Sequence, residues 1–323
     1  MKIVIVAPHQ NAVTYHRLIS PHIALKERHP LIDIYNCGHP MDIFRPQFND
    51  AKVIIFSRVI EFDYFTMKDG RKVTIEQVIK SLNKKGTKVI LDIDDYWILD
   101  DHHILKNKMP KEYQEQTERT LRMVNHVIVT NKRLLKKVRP FNKRVSIVPN
   151  IVNRKELQWK YIAKKQTKTP TFGYIGGETH QEDLQTMQTT FKDVNSIAYV
   201  DAFKWCFKKI GKPKGMFDYG HLLEDMHVTL APLLPSPFNA CKSNLKVIEA
   251  AAKGTCIAVT ETAPYIDWLP ESLIKFKPSE TWEQLKSISV TEAIKRGKDL
   301  HDEINDHYNL DLATAERLRI YNA

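Results

Sequence analysis

Charged side chains recur at helical spacing in residues 238–254, Phe238-Asn239-Ala240-Cys241-Lys242-Ser243-Asn244-Leu245-Lys246-Val247-Ile248-Glu249-Ala250-Ala251-Ala252-Lys253-Gly254. At about 100° per residue, Lys242, Lys246 and Glu249 share one narrow sector, and Leu245, Ile248 and Ala252 form a separate apolar stripe. Ser243 suits an N-cap and Gly254 a left-handed stop, so the pattern predicts a helix from about Asn244 to Lys253, followed by a buried strand from Cys256 to Val259. Free backbone N–H groups, the positive end of the helix dipole and two lysines suit a diphosphate. An acid one turn further on suits the hydroxyls of a ribose. Together these parts describe a grip for a sugar nucleotide, although Lys246 and Glu249 are also spaced as an ordinary surface pair.

Three further stretches carry chemistry. Residues 171–184 read as a strand that ends in Gly176-Gly177, then a helix opening on the capping pattern Thr179-x-x-Glu182. Glycines at that turn let backbone N–H groups approach a phosphate, and His180 is placed to touch phosphate or sugar, or simply to sit on a first helical turn. The spacing is not the G-x-G-x-x-G of dinucleotide sites. The apolar run from Val89 leads straight into Asp92, Asp94 and Asp95. At the carboxyl end of a parallel strand such acids face a ligand cleft. They would hold a metal, supply a nucleophile, or orient and deprotonate an acceptor hydroxyl (Asp94 or Asp95), while one of the three caps the next helix. After the first strand, Pro8-His9-Gln10-Asn11-Ala12-Val13-Thr14-Tyr15-His16-Arg17 opens a helix. Its Tyr15, His16 and Arg17 suit a polar acceptor, or in the case of Tyr15 plain packing.

Those residues need a scaffold, and the pattern supplies one. Strands at Lys2 to Val6, Leu31 to Tyr35, Val53 to Phe56, Lys88 to Leu91, His126 to Val129 and Val145 to Val148 alternate with helices at Tyr15 to Arg28, Thr74 to Lys84, Lys111 to Met123 and Asn131 to Val138. This rhythm predicts an α/β domain with a parallel sheet covered on both faces. Pro149-Asn150 interrupts it and residues 154–169 are polar and lysine-rich, so a domain boundary is expected near residue 152. The rhythm restarts with strands at Thr171 to Ile175, Ile197 to Val200, Val228 to Ala231 and Cys256 to Val259 and a helix at Gln181 to Phe191. Helices from about Thr281, Thr291 and Asp311 follow, the last of them (308–323) expected to pack back on the first domain.

With 323 residues and 42% hydrophobic content, the chain can fill two domains. No apolar run approaches membrane-spanning length and Ile3 to Ala7 is too short for a signal peptide, which points to a cytoplasmic protein. Cys37, Cys206, Cys241 and Cys256 lack metal or disulfide spacing and read as reduced packing residues. A formal charge of +11, from 49 basic and 38 acidic residues, points to a polyanionic partner or a phosphorylated small molecule. Basic clusters lie at Lys132-Arg133, Lys136-Lys137, Arg139, Lys143-Arg144 and at Lys204, Lys208-Lys209, Lys212, Lys214.

Nearly the whole chain resembles the GT-B glycosyltransferases of the group 1 or family 4 type. The likeness rests on Lys88 to Asp95, on Asn125 to Thr130 with Val145 to Asn150, on Gly173 to Gly177 with His180, and on Ala231-Pro232-Leu233 with Phe238-Asn239, Lys242-Ser243, Lys246 and Glu249. It implies two Rossmann-like domains facing a cleft, and sugar transfer with retention from a nucleotide sugar such as a UDP-sugar, without bound metal. The donor would be held by Gly176, Gly177, His180, Asn239, Lys242, Ser243, Lys246 and Glu249, and the acceptor by Tyr15, His16 and Arg17, with Asp94 or Asp95 as catalytic carboxylate. The first acid of the family's E-x7-E pattern is Cys241 here, and Asp94 stands near a position where many members carry histidine. The compact basic chain is similar to phage-encoded transferases that decorate viral DNA, which implies double-stranded DNA bearing 5-hydroxymethylcytosine as acceptor and the host cytoplasm as location. Cell-surface or lipid-linked glycan is the alternative acceptor. A non-catalytic nucleotide-sugar or nucleic-acid binding protein would share the shell, but the intact face of Lys242, Lys246 and Glu249 speaks against it.

Overall fold

The computed structural model describes residues 1–8, 11–58, 64–66, 69–101, 103–109, 112–267, 270–304 and 307–323. His9, Gln10 and Lys111 of the stretches above therefore lie outside the described residues. The amino-terminal half builds a parallel sheet from β1 (Lys2–Val6), β2 (Asp33–Cys37), β3 (Val53–Ser57), β4 (Lys88–Ile93), β5 (His126–Val129) and β6 (Val145–Ile147), in the order β2-β1-β3-β4-β5-β6. The second half repeats the architecture with β7 (Phe172–Tyr174), β8 (Ser196–Ala198), β9 (Lys209–Ile210), β10 (Val228–Ala231), β11 (Cys256–Thr260) and β12 (Ile274–Phe276), in the order β9-β8-β7-β10-β11-β12. Every pairing within both sheets is parallel.

Continuous apolar strands are what a sheet buried on both faces demands. Val4, Ile54, Phe56, Val89 and Leu91 form one core of the first sheet, and Ile3, Ile5, Val53, Ile55 and Ile90 form the other. In each sheet the strand order reverses beside the first strand, between β1 and β3 and between β7 and β10, and ligands of such sheets bind outside the carboxyl ends at those points. The helix Ile75–Lys84 starts on a reciprocal cap, Thr74 Oγ1 accepting from Gln77 N and Gln77 Oε1 from Thr74 N. Asn131 caps Lys132–Val138.

Besides the helix expected from about Thr281, which is only a short 3-10 turn at Glu283–Ser287, the structure departs from the sequence reading in three places. The helix expected at Gln181 to Phe191 stops at Gln185, because Gln188 adopts a left-handed φ of 49° and Met187 and Phe191 turn into the core. Residues 12–28 are not one regular helix but change pitch through a π-helical turn at Tyr15–Ile19. The third is Ser243, which does not cap the helix Leu245–Ala252; its Oγ accepts from Asn150 Nδ2 at 2.6 Å instead.

The last helix, Leu310–Asn322, lies against the first sheet, where Ala313, Ile320 and Tyr321 share a core with Ile3, Ile5 and Ile90. Asp92 anchors it. Arg17 Nε and Nη2 donate to the two Asp92 oxygens at 2.7 and 3.0 Å, and Arg317 Nη1 donates to Oδ2 at 3.0 Å. All three residues are buried.

Candidate active site

The carboxyl ends of both sheets open onto one cavity of about 660 Å³. From the second half, Gly176, Gly177 and His180 line it after β7, and Lys242, Ser243, Lys246 and Glu249 line it at the start of the helix Leu245–Ala252. Among the described residues no side chain caps that helix, so its first N–H groups are left for a ligand. Lys246 donates to the carbonyl of Ile175 and stands over the Tyr174 ring at 4.6 Å. Its burial, only partly offset by Glu249, lowers the ammonium to about 8. Gly176 is required by the fold, since a Cβ there would meet Tyr174 Oη at 2.5 Å, whereas at Gly177 a Cβ would make only an ordinary contact with Thr179 Oγ1 at 3.9 Å.

Glu249 is held in place. Tyr219 Oη donates to its Oε1 at 2.5 Å, and His16 Nε2 lies 2.5 Å from that hydroxyl and 3.4 Å from the carboxylate. Its orientation is thus fixed before any ligand arrives.

From the first half, Asp94 and Asp95 reach the cavity beside Arg58, which follows β3 with a left-handed φ of 65°. Arg58 Nε and Nη2 clamp Asp94 at 2.9 and 3.0 Å, and Nη2 lies 3.4 Å from Asp95. Lys242 Nζ approaches Asp95 from the other sheet at 3.7 Å. Burial raises the Asp94 carboxyl against the pull of Arg58, while for Asp95 the effect of burial is outweighed chiefly by Lys242 and Arg58, which hold it below its usual value. Two neighbouring carboxyls pushed apart in this way suit different protonation roles. Tyr96, Trp97 and Tyr113 add aromatic wall on the same side.

Not every residue singled out in sequence reaches the cavity. Tyr15, His16 and Arg17 are buried, and none of them lines it. Arg17 is spent on Asp92, the Val148 carbonyl and Asn150; Tyr15 packs edge-on against His16 and Phe217; His16 meets the site only from behind Glu249. Asn239 lies behind His180, lining a small neighbouring pocket. Asp92 faces Arg17 and Arg317 rather than the cleft, and neither it nor Asp95 caps a helix. Sequence reasoning missed Arg58, Tyr219 and Asp183. Arg58 was within reach, because it follows a buried strand by the rule that drew attention to the three acids. Among the described residues no group of three or more His, Cys, Asp or Glu side chains is arranged to hold a metal ion, and no helix is long and apolar enough to cross a membrane.

Two Rossmann-like parallel-sheet domains that meet at a common cleft define the GT-B fold, and solved structures of that fold superpose on nearly the whole chain. Sucrose-phosphate synthase from Thermosynechococcus elongatus matches with a TM-score of 0.64 over 100% of this chain and 98% of its own, at 9% identity. A glycosyltransferase from Rickettsia africae matches at 0.62 over 99% and 97%, with 10% identity. Anabaena HepE, solved with UDP and glucose, matches at 0.62 over 100% of both chains, with 8% identity. At such identities the likeness speaks for the fold. No protein-family model matches the chain, and no curated protein matches it in sequence.

Proposed function

We propose that this chain is a glycosyltransferase that moves a sugar from a nucleoside diphosphate sugar to an acceptor hydroxyl. The observation that carries the reading is the single cavity in which Lys242, Lys246, Glu249 and an uncapped helix start face Asp94, Asp95 and Arg58. Lys242 and Lys246 offset the charge of the departing diphosphate, and Glu249, fixed by Tyr219, accepts from the ribose hydroxyls. Asp95, the carboxyl held ionised, receives or orients the acceptor proton, while Asp94 and Arg58 keep it in place. HepE, whose structure has also been solved with UDP-glucose, supports a UDP-sugar as first donor to try. Retention of configuration follows from the family resemblance. Incubation with a panel of nucleotide sugars tests the activity, reading nucleoside diphosphate release and thermal shift. Neither release nor shift with any donor would overturn it. Chelator should leave turnover intact; activity lost with chelator and restored by manganese or magnesium would instead make the acids a metal site.

For the acceptor the reading favoured is a hydroxymethylated pyrimidine in double-stranded DNA. Support comes from the charge of +11 and from exposed basic residues on both halves near the cavity. Lys214 lines it with exposed Lys212 two residues away, and exposed Lys137 stands over the Tyr96 ring at 4.8 Å. Such residues give affinity for phosphates without sequence choice. A base must leave the duplex to react, and the aromatic wall of Tyr96 and Tyr113 suits such a base. Duplex DNA with and without 5-hydroxymethylcytosine, offered alongside a lipid-linked glycan at low and moderate salt, decides. Transfer to the glycan alone, with DNA unbound, rejects the DNA acceptor and leaves the donor reading standing.

A further inference from the structure

His180 is backed by a chain of buried partners. Its Nδ1 lies 2.7 Å from Asp183 Oδ2, and Asp183 Oδ1 accepts from Leu234 N at 2.8 Å and from Asn239 Nδ2 at 2.9 Å. Asn239 is itself tied to the Leu234 carbonyl at 3.0 Å. Asp183 and Asn239 are 5% and 7% exposed, so this carboxylate has little freedom to turn. An ionised carboxylate beside Nδ1 selects the tautomer with the proton there and leaves Nε2 for a ligand.

Charge reaches the ring from several elements. Asp183 belongs to its own helix, Lys242 and Lys246 come from the segment after β10, and Asp95 comes from the first sheet. The Tyr174 ring is 6.4 Å away, and His103, Asp100 and Glu182 share the small neighbouring pocket. Burial, with the two lysines, holds the imidazole below its ordinary value against the pull of Asp183. The empty site therefore keeps the ring neutral at pH 7. A diphosphate among those lysines reverses the local field and favours the imidazolium.

Building on the donor reading above, we propose that His180 takes up one proton from solvent as the donor diphosphate binds and offers Nε2–H to it, with Asp183 and Asn239 as the residues that position the ring. The diphosphate then meets His180 as a cation beside Lys242 and Lys246, a charge the empty site does not carry.

The test is calorimetric titration of the intact protein with UDP-glucose, GDP-mannose and ADP-glucose in pairs of buffers of unlike ionisation enthalpy. The diphosphates of these probes are diesters that do not titrate near neutrality, so any proton taken up belongs to the protein. Expected is net uptake approaching one proton per donor near neutral pH, with affinity rising by up to about tenfold per unit as pH falls. His180→Gln should abolish the uptake and His103→Gln should keep it; uptake by Lys246 falls in a more alkaline range, near its value of about 8. Asp183→Asn should move the uptake to lower pH, a shift that a merely structural role would not produce. Binding without uptake, or uptake that persists in His180→Gln, overturns the proposal. An Asp183→Asn profile that overlays the wild type overturns the positioning role, and if that variant does not fold, the wild-type and His180→Gln titrations still decide the rest. Silence with all three probes overturns the donor reading, and this proposal with it.

Discussion

Lys246 is the side chain on which the donor reading is most exposed. A charge-assisted contact in a partly buried site contributes about 1.5–3 kcal/mol, so Lys246→Ala should weaken donor binding by about ten- to a hundredfold while the fold survives. Unchanged affinity in a folded variant would remove the diphosphate from this place. Because burial brings this ammonium to about 8, an empty site loses its charge as pH rises through that value. Phosphate binding raises the value again, so the part of the affinity that depends on this lysine should be constant below it and fall progressively above, as titrations of His180→Gln from about pH 7 to 9.5 would show. Asp95→Asn should lower kcat far more than donor affinity, since its role belongs to the acceptor. At this scale the sequence reading was strongest where chemistry is local. Lys242, Lys246 and Glu249 lie within one short segment, and helical spacing alone places them together. Arg58 and Asp94, 36 positions apart, meet only because β3 and β4 are neighbours in the sheet, and no local pattern announces that.

Among the elements, β4 bears the heaviest electrostatic duty. Asp92 at its end neutralises part of two buried guanidiniums, one from the helical segment after β1 and one from the last helix. Removing one partner of a buried ion pair costs about 3–5 kcal/mol, so Asp92→Asn should lower stability by that order in denaturant titration, well beyond the effect of Asp95→Asn. Equal stability of the two variants would show that the cluster does not hold the helix. Most strands were legible because buried parallel strands are unbroken apolar runs. Two-residue β9 is too short to leave a pattern, and the helix at Gln181 was overextended because Leu184, Met187 and Phe191 keep helical spacing although Gln188 breaks the backbone. Tyr15, His16 and Arg17 misled for a related reason. Polar side chains at a helix start near a cleft suit a ligand equally well when they point outward and when they brace the interior.

In the whole molecule specific polar contacts beside the cavity join the two sheets. Asn131 Nδ2 donates to the carbonyls of Cys241 at 2.8 Å and Lys242 at 3.0 Å, and Asn150 donates to Ser243. These bonds tie a helix cap of one half to the backbone that presents the donor lysines in the other. At about 0.5–1.5 kcal/mol per bond, Asn131→Ala should cost about 1–3 kcal/mol and raise the donor Kd up to roughly tenfold without touching ligand chemistry. A variant with wild-type Kd would show that the lysines are placed by their own domain alone. The route of the backbone adds something the static contacts do not express. Residues 310–322 complete the charge cluster and one apolar face of a sheet whose strands are made long before them. During synthesis the leading half therefore holds Asp92 against Arg17 without Arg317, and packs Ile3, Ile5 and Ile90 without Ala313, Ile320 and Tyr321, until the trailing half has been translated. Maturation of the two halves is interlocked in time as well as in space, and the half that emerges first is sealed last.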